Sequence, residues 1–281
     1  MKEIKIEGMV SNPPSRDALA IGLFGEQGSG KTRLMCSAPG PIGIIPLDRK
    51  SRKTVERTAL ELGKQVILPK EDFVRVDNPL KLAVLMPECS DTRKVIPLDA
   101  KSPSYCCAKH YYRWHVNRIK AAAFKLYDHP DIRTIGIDTG SQLWEDILFA
   151  NYGRSERVMP RDRGPANQEM IDFLNCLSGK NLIITHQAKE VWKNEKPTGR
   201  FEWKGFPHLG YYLNVLAECK CNPAKEVGQD GRFSLNVHLC QDNPDIQGPG
   251  GKDLLQDSQI SFAMLAYSIY PDMDPVAWED S

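Results

Sequence analysis

The residue types best suited to chemistry gather near the start of the sequence, in Gly25-Glu26-Gln27-Gly28-Ser29-Gly30-Lys31-Thr32. The spacing is G-x-x-x-x-G-K-[S/T], and each fixed position answers a physical need. Glycines let consecutive backbone N–H groups turn inward around phosphate oxygens. The Lys31 ammonium then reaches the terminal phosphates, and the Thr32 hydroxyl ligates Mg²⁺ at the start of a helix whose dipole favours anions. Ordinary residue frequencies produce such a match by chance in about 1% of chains of this length.

Two further positions suit the same chemistry. In Ile135-Gly136-Ile137-Asp138-Thr139 a carboxylate ends an apolar run, where it can hold the water shell of Mg²⁺. The same pattern also serves as a plain helix N-cap. In Leu182-Ile183-Ile184-Thr185-His186-Gln187 the Gln187 amide ends another apolar run, where it can touch a terminal phosphate and report its loss. His186 reads as a core or capping residue rather than a catalyst.

The elements that must position these residues are short apolar strands alternating with helices. Leu19 to Phe24, Ile42 to Leu47, Thr134 to Asp138 and Asn181 to Thr185 lack the alternation of a half-wet strand, which suits a parallel sheet covered on both faces. Val66 to Leu68 and Phe73 to Val76 are weaker strand candidates. Helices are expected over Trp114 to Tyr127, Ser141 to Ala150 and Pro165 to Leu177, and another over Ile260 to Tyr270. Val215 to Cys221 and Arg232 to Cys240, joined across Val227-Gly228-Gln229-Asp230-Gly231, read as an antiparallel hairpin added to that sheet. The predicted fold is α/β, a mostly parallel central sheet flanked by helices, with an antiparallel hairpin near its C-terminal end. Residues 1–18 form an N-terminal extension and 19–240 the core. The Pro-, Ser-, Lys- and Cys-rich stretch at about 86–109 is an insertion, and 241–281 is an acidic C-terminal segment.

With 281 residues, Lys plus Arg at 37 and Asp plus Glu at 36, the chain is neither a polycation nor an acidic tail protein. No apolar run approaches the roughly 20 residues of a membrane span, so no membrane partner is expected. The first residues carry charges but no apolar signal region, which points to a cytoplasmic protein with its eight cysteines reduced. Cys89, Cys106, Cys107, His110 and His115 gather in and after the insertion without the paired spacing of a zinc site. They read as buried or incidental groups.

Taken in order, these motifs resemble the RecA-like P-loop ATPases, and more narrowly the phage-encoded ones that act in single-strand annealing and recombination. The resemblance spans about Leu19 to Cys240 and rests on the order of phosphate loop, Asp strand, helix, basic loop, helix, Gln strand, second basic loop and hairpin. It implies ATP and Mg²⁺ as cofactors, with Gly25 to Thr32 on the nucleotide, Thr32 and Asp138 on the metal, and Lys31, Asp48, Asp138 and Gln187 in catalysis. It implies single-stranded DNA as partner, a homo-oligomeric ring or filament, a single-strand-binding protein as a further partner, and the host cytoplasm if the chain is phage-encoded. DNA is expected on Arg154, Arg157, Arg161 and Arg163 of the first loop and on Trp192, Lys193, Lys196, Arg200, Trp203 and Lys204 of the second.

Read without any family, that second stretch, Lys189 to His208, already combines cations that follow phosphates with aromatics that stack bases. The competing reading is a β-hairpin whose Trp and Phe pack locally. One departure stands out: the family's catalytic Glu is absent after Ile45-Pro46-Leu47, where Asp48, Arg49 and Lys50 follow. Asp48 is the nearest carboxylate; a DNA-stimulated ATPase is the expectation, with slow hydrolysis or none as the outcome this departure leaves open. The alternatives to a DNA-stimulated ATPase are a nucleotide-gated DNA-binding module with little hydrolysis, a hexameric helicase-type motor and a small-molecule kinase using the Arg-rich 151–164 stretch as a lid. Lys220 and Lys225, around the late hairpin, are candidates for a cation reaching a neighbouring subunit's nucleotide.

Overall fold

The computed structural model of the chain describes residues 18–76, 105–153, 158–222, 232–247, 252–257, 260–271 and 278. Strand β1 (Ala20–Gly25) runs into the glycine-rich loop and helix α1 (Lys31–Cys36). Strand β2 (Ile42–Pro46), helix α2 (Arg49–Leu62) and the short strand β3 (Val66–Ile67) follow. Helix α3 (Tyr105–Asp128) leads to β4 (Thr134–Asp138), α4 (Gly140–Tyr152) and α5 (Gly164–Cys176). Then come β5 (Asn181–Lys193), β6 (Lys196–Lys204), β7 (Val215–Asn222), β8 (Arg232–Cys240), β9 (Lys252–Asp257) and α6 (Phe262–Ile269).

The strands form a nine-stranded sheet in the order β3-β2-β4-β5-β1-β7-β8-β9, with β6 attached to β5. Every pair from β3 through to β7 on that path is parallel. The β5–β6, β7–β8 and β8–β9 pairs are antiparallel. The fold is therefore mixed α/β around a mostly parallel sheet, as the apolar, non-alternating runs predict. All residues of β2 and β4 are buried, because helices cover both faces. Ile135, Ile137, Leu182 and Ile184 face Tyr112, Ile119, Ile147 and Phe173 on one side. Leu23, Ile44 and Ile183 face Leu34, Met35 and Phe262 on the other. No helix among the described residues is long and apolar enough to cross a membrane.

Several elements differ from the sequence-based expectation. Lys189 to Lys204 is not an irregular loop: β5 continues outward, turns at Asn194 and Glu195 with φ of 52° and 62°, and returns as β6. The turn type suits a tight hairpin, because both central residues must take positive φ. Phe73 to Val76 forms no strand; Phe73 enters the core, and Arg75 is drawn to α4, where Nε reaches Asp146 Oδ1 and Nη1 reaches Glu145 Oε2, each at 2.6 Å. Helix α3 begins at Tyr105, so it includes the end of the supposed insertion; residues 86–104, Cys89 among them, lie outside the described residues. Sheet and core also continue past Cys240, through β9 on β8 and through Phe262, Leu265 and the buried Trp278. Strand β9 lay outside the expected elements, whereas α6 answers the helix expected over Ile260 to Tyr270.

Candidate functional site

Strand β1 ends at Gly25, and the loop that follows takes the shape its glycines allow. Gly28 has φ 82° and Gly30 φ 92°, conformations costly for other residues. Gly25, at φ 154°, also lies so near β7 that a Cβ would sit 2.3 Å from the Cys219 carbonyl oxygen. Helix α1 starts at Gly30 with no side-chain cap, leaving its first N–H groups to the loop's concave side. Lys31 lies across the loop: its Nζ donates to Gly25 O at 2.7 Å, Glu26 O at 2.6 Å and Ser29 Oγ at 3.2 Å. Burial lowers the Lys31 pKa, while Cys219, Asp138 and Glu26 oppose that shift. This chain carries a P-loop.

Asp138 stands next to it. Thr32 Oγ1 donates to its Oδ2 at 3.4 Å, and Thr185 Oγ1 donates to its Oδ1 at 2.5 Å. The N-cap of α4 is Thr139, whose hydroxyl accepts from Gln142 N, so Asp138 is left facing the phosphate loop. Burial raises the Asp138 pKa, and neighbouring Asp48 raises it further against the opposing Thr185, Ser51 and Lys31. A buried carboxylate beside a threonine hydroxyl, with its charge poorly compensated, is the donor set that a hydrated Mg²⁺ satisfies. The residues present fit that ion.

Asp48 is brought to the same corner, but as the N-cap of α2. Its Oδ1 accepts from Ser51 N at 2.6 Å and its Oδ2 from Ser51 Oγ at 3.0 Å. Each oxygen thus holds one bond and keeps a second lone pair, while the cap fixes the direction in which the carboxylate faces. Gln187 sits opposite Gly25 in the β1–β5 register and opposite Lys204 in the β5–β6 register. It is therefore the residue at which a core strand beside the phosphate loop becomes the projecting hairpin. Beneath it His186 is fully buried, and burial pushes its pKa down to about 4, so the ring is neutral.

The structure separates the basic residues assigned to nucleic acid. Lys193, Lys196 and Arg200 are exposed near the hairpin turn, and Trp192 there is 61% exposed. Lys204, at the root, lies 3.9 Å from Glu145. Trp203 belongs to the core side: it donates Nε1–H to Phe206 O at 3.0 Å and lies 6.3 Å from the Phe24 ring. Local packing thus holds for Trp203 and the buried Phe206, while Trp192 keeps an open face. Arg161 is exposed, and Arg163 donates Nε–H to Val158 O at 3.1 Å; Arg154 and Arg157 lie outside the described residues.

Sequence reasoning missed three groups. Ser141 donates its hydroxyl to Lys204 O and accepts from Gln187 N at 2.9 Å, joining both legs of the hairpin root. Glu218, buried on β7 opposite Phe24, lines a cleft of about 240 Å³ together with Glu26, Gln27, Ser29, Phe201 and Lys220. Its pKa is lowered on balance: burial raises it, but His238 and Lys220 outweigh that effect. Lys220 lies 3.1 Å from Glu218, beside this chain's own phosphate loop. Thr185 is the third, and its place two residues before Gln187 on the strand was the available signal.

No family model matches the chain, and no curated protein matches it. Among solved structures it is similar to a prototypical ATPase from the type III secretion system of pathogenic bacteria, at 13% identity and a TM-score of 0.39. The match covers 72% of this chain and 53% of that one, so the chain spans about half the length of that ATPase.

Proposed function

We propose that this chain binds ATP with Mg²⁺ in its P-loop and uses the bound nucleotide to control single-stranded DNA binding on the β5–β6 hairpin. The observation that supports this most is one register: Gly25, where the P-loop begins, pairs with Gln187, where β5 leaves the sheet to become the hairpin. A terminal phosphate held by Lys31 and the loop N–H groups lies within the neighbourhood of that junction. Lys193, Lys196 and Arg200 supply phosphate contacts, and Trp192 supplies a stacking face. As a RecA-like ATPase of the annealing and recombination type, the chain works as a homo-oligomer in the cytoplasm. Thr32 and Asp138 would hold Mg²⁺, which would offset charge on the phosphates, while Lys31 orients them.

A second reading has its own support. Asp48 stands in place of the expected Glu and is fixed as the N-cap of α2, a shorter and tethered carboxylate that favours a nucleotide-gated binder with slow turnover over a fast motor. One experiment separates the two: ATP turnover and oligonucleotide binding by the purified chain, with Lys31→Ala and Trp192→Ala alongside. DNA-stimulated turnover lost in Lys31→Ala supports the ATPase. Nucleotide-dependent binding without turnover supports the gated module. Oligonucleotide binding that ignores both ATP and Trp192 refutes the proposal.

A further inference from the structure

The root of the hairpin is built around one hydroxyl. At the point where β5 and β6 part from the parallel sheet, Gln187 and Lys204 stand opposite each other. Ser141 takes the Gln187 N–H at 2.9 Å and donates to the Lys204 carbonyl, so a single buried side chain holds both legs. Its own backbone belongs to the first turn of α4, which begins directly after Asp138 and Thr139. The same helix is tied to the end of β2 by Gln142, whose Nε2 donates to Leu47 O at 2.9 Å. Glu145, one turn further on, lies 3.9 Å from Lys204.

Close packing makes this junction stiff. A Cβ on Gly140 would meet Ile184 Cγ2 at 2.3 Å and His186 Cε1 at 2.7 Å. Gly205, directly after Lys204, has φ 153°, and a Cβ there would meet His186 Nδ1 at 3.0 Å. Helix start, strand end and hairpin exit therefore close around the neutral His186 ring, with little room for one to shift alone. Ser141 itself is buried while Gln187 and Lys204 are exposed, so its two bonds tie the buried helix start to the base of an open hairpin.

We infer that Ser141 is a positioning residue that transmits occupancy of the Asp138 metal site to the orientation of the β5–β6 hairpin. The inference rests on the reading that Mg²⁺ and nucleotide bind beside Asp138. A charge arriving there acts on the residue that starts α4, and Ser141 carries any resulting adjustment to Gln187 and Lys204 together. Without its hydroxyl α4 keeps only the side-chain pair of Glu145 and Lys204 at 3.9 Å, and the backbone of the hairpin root no longer follows the helix start. Ser141 touches neither phosphate nor metal in this scheme, so its loss leaves nucleotide affinity in place.

The test is hydrogen exchange of the full chain, with and without Mg²⁺ and a slowly hydrolysed ATP analogue, in wild type, Ser141→Ala and Ser141→Thr. A fluorescent ATP analogue measures nucleotide affinity in each. In the wild type, nucleotide is expected to slow exchange across residues 187–204 by about tenfold or more. Ser141→Ala is expected to lose that response while binding the analogue within about threefold of wild type, and Ser141→Thr, which keeps the hydroxyl, to restore it. A full hairpin response in Ser141→Ala overturns the inference, as does a wild-type hairpin that ignores bound nucleotide. Circular dichroism of both variants in the same buffer separates lost coupling from lost fold. A wild-type chain that binds no nucleotide fails the underlying reading instead. A hairpin that responds to nucleotide but binds no oligonucleotide refutes the DNA assignment and leaves the role of Ser141 standing.

Discussion

Lys31→Ala is the perturbation most directly tied to measured geometry. An ammonium carries three hydrogens. Within the loop they have acceptors in Gly25 O at 2.7 Å, Glu26 O at 2.6 Å and Ser29 Oγ at 3.2 Å. Polyphosphate binding therefore does not satisfy an idle charge; it exchanges neutral acceptors for anionic ones. The loop bonds already have an ionised donor, and an anionic acceptor adds Coulomb attraction of about 1–4 kcal/mol between bulk water and a protein surface, so each exchange gains about 1–2 kcal/mol. Two such exchanges amount to about 2–4 kcal/mol, or about 30- to 1,000-fold in affinity at 1.4 kcal/mol per decade. Lys31→Ala should weaken Mg²⁺·ATP binding by that factor. Of the vacated acceptors Glu26 O is exposed and can be hydrated, whereas Gly25 O and the buried Ser29 Oγ lose a partner, so the melting temperature should fall by a few degrees. Because burial lowers the Lys31 pKa, wild-type affinity should also fall as pH rises, earlier than a solvated lysine would dictate. Titration calorimetry at neutral and alkaline pH reads both effects. A folded Lys31→Ala chain that binds within threefold of wild type refutes the placement of phosphates in this loop.

Three further outcomes follow from the same corner. The Asp138 carboxyl has its pKa raised, so its ionisation opposes folding, and this cost appears as pH rises through the unfolded value of about 3.9 toward the native one. Asp138→Asn should therefore be more stable than wild type to urea at neutral pH in chelator, lose that advantage below about pH 4, and gain nothing from Mg²⁺ with nucleotide. Gly25→Ala, with its Cβ 2.3 Å from Cys219 O, should cost about 2–4 kcal/mol in denaturant melts. Gly28→Ala, with nothing within 4 Å, should cost only about 1–2 kcal/mol, and equal costs would contradict the β1–β7 contact. Asp48→Ala should lose about 1 kcal/mol of capping. Asp48→Asn can still accept from Ser51 N, so if it keeps stability but lowers single-turnover hydrolysis about 100-fold, Asp48 acts on water as well as on the helix.

What was legible in the sequence was what backbone chemistry or two-sided burial dictates. Gly25 to Thr32 could be read because its glycines and lysine answer to phosphate rather than to their neighbours. The bounds of β4 and β8 could be read because each apolar run ends sharply. The outer hairpin was legible only as the reading that competed with a basic loop, because Lys189 to Lys193 and Lys196 to Arg200 bury almost nothing. They are held by cross-strand contacts such as Lys189 to Glu202 at 2.9 Å and Thr198 Oγ1 to Val191 O at 2.6 Å. Ser141 was hidden for a different reason. Its partners lie 46 and 63 residues away, so nothing local distinguishes it from any serine in a first helical turn. The glycines at 140 and 205 were the only trace, and they gain meaning only around His186.

The same packing bears on whether the chain turns over quickly or holds its nucleotide. Asp48 raises the cost of ionising Asp138, and Ser51 is the hydroxyl within reach of both. A divalent cation at Asp138 relieves that repulsion without drawing Asp48 away from Ser51 N, since the cap bond at 2.6 Å is already charge-assisted. Cation binding therefore stabilises the arrangement in which α2 stays capped, rather than one in which Asp48 swings toward water. Each Asp48 oxygen carries one bond to Ser51 and keeps a second lone pair, so Asp48 need not surrender the cap to touch a water; the cap instead fixes the direction from which a water can approach.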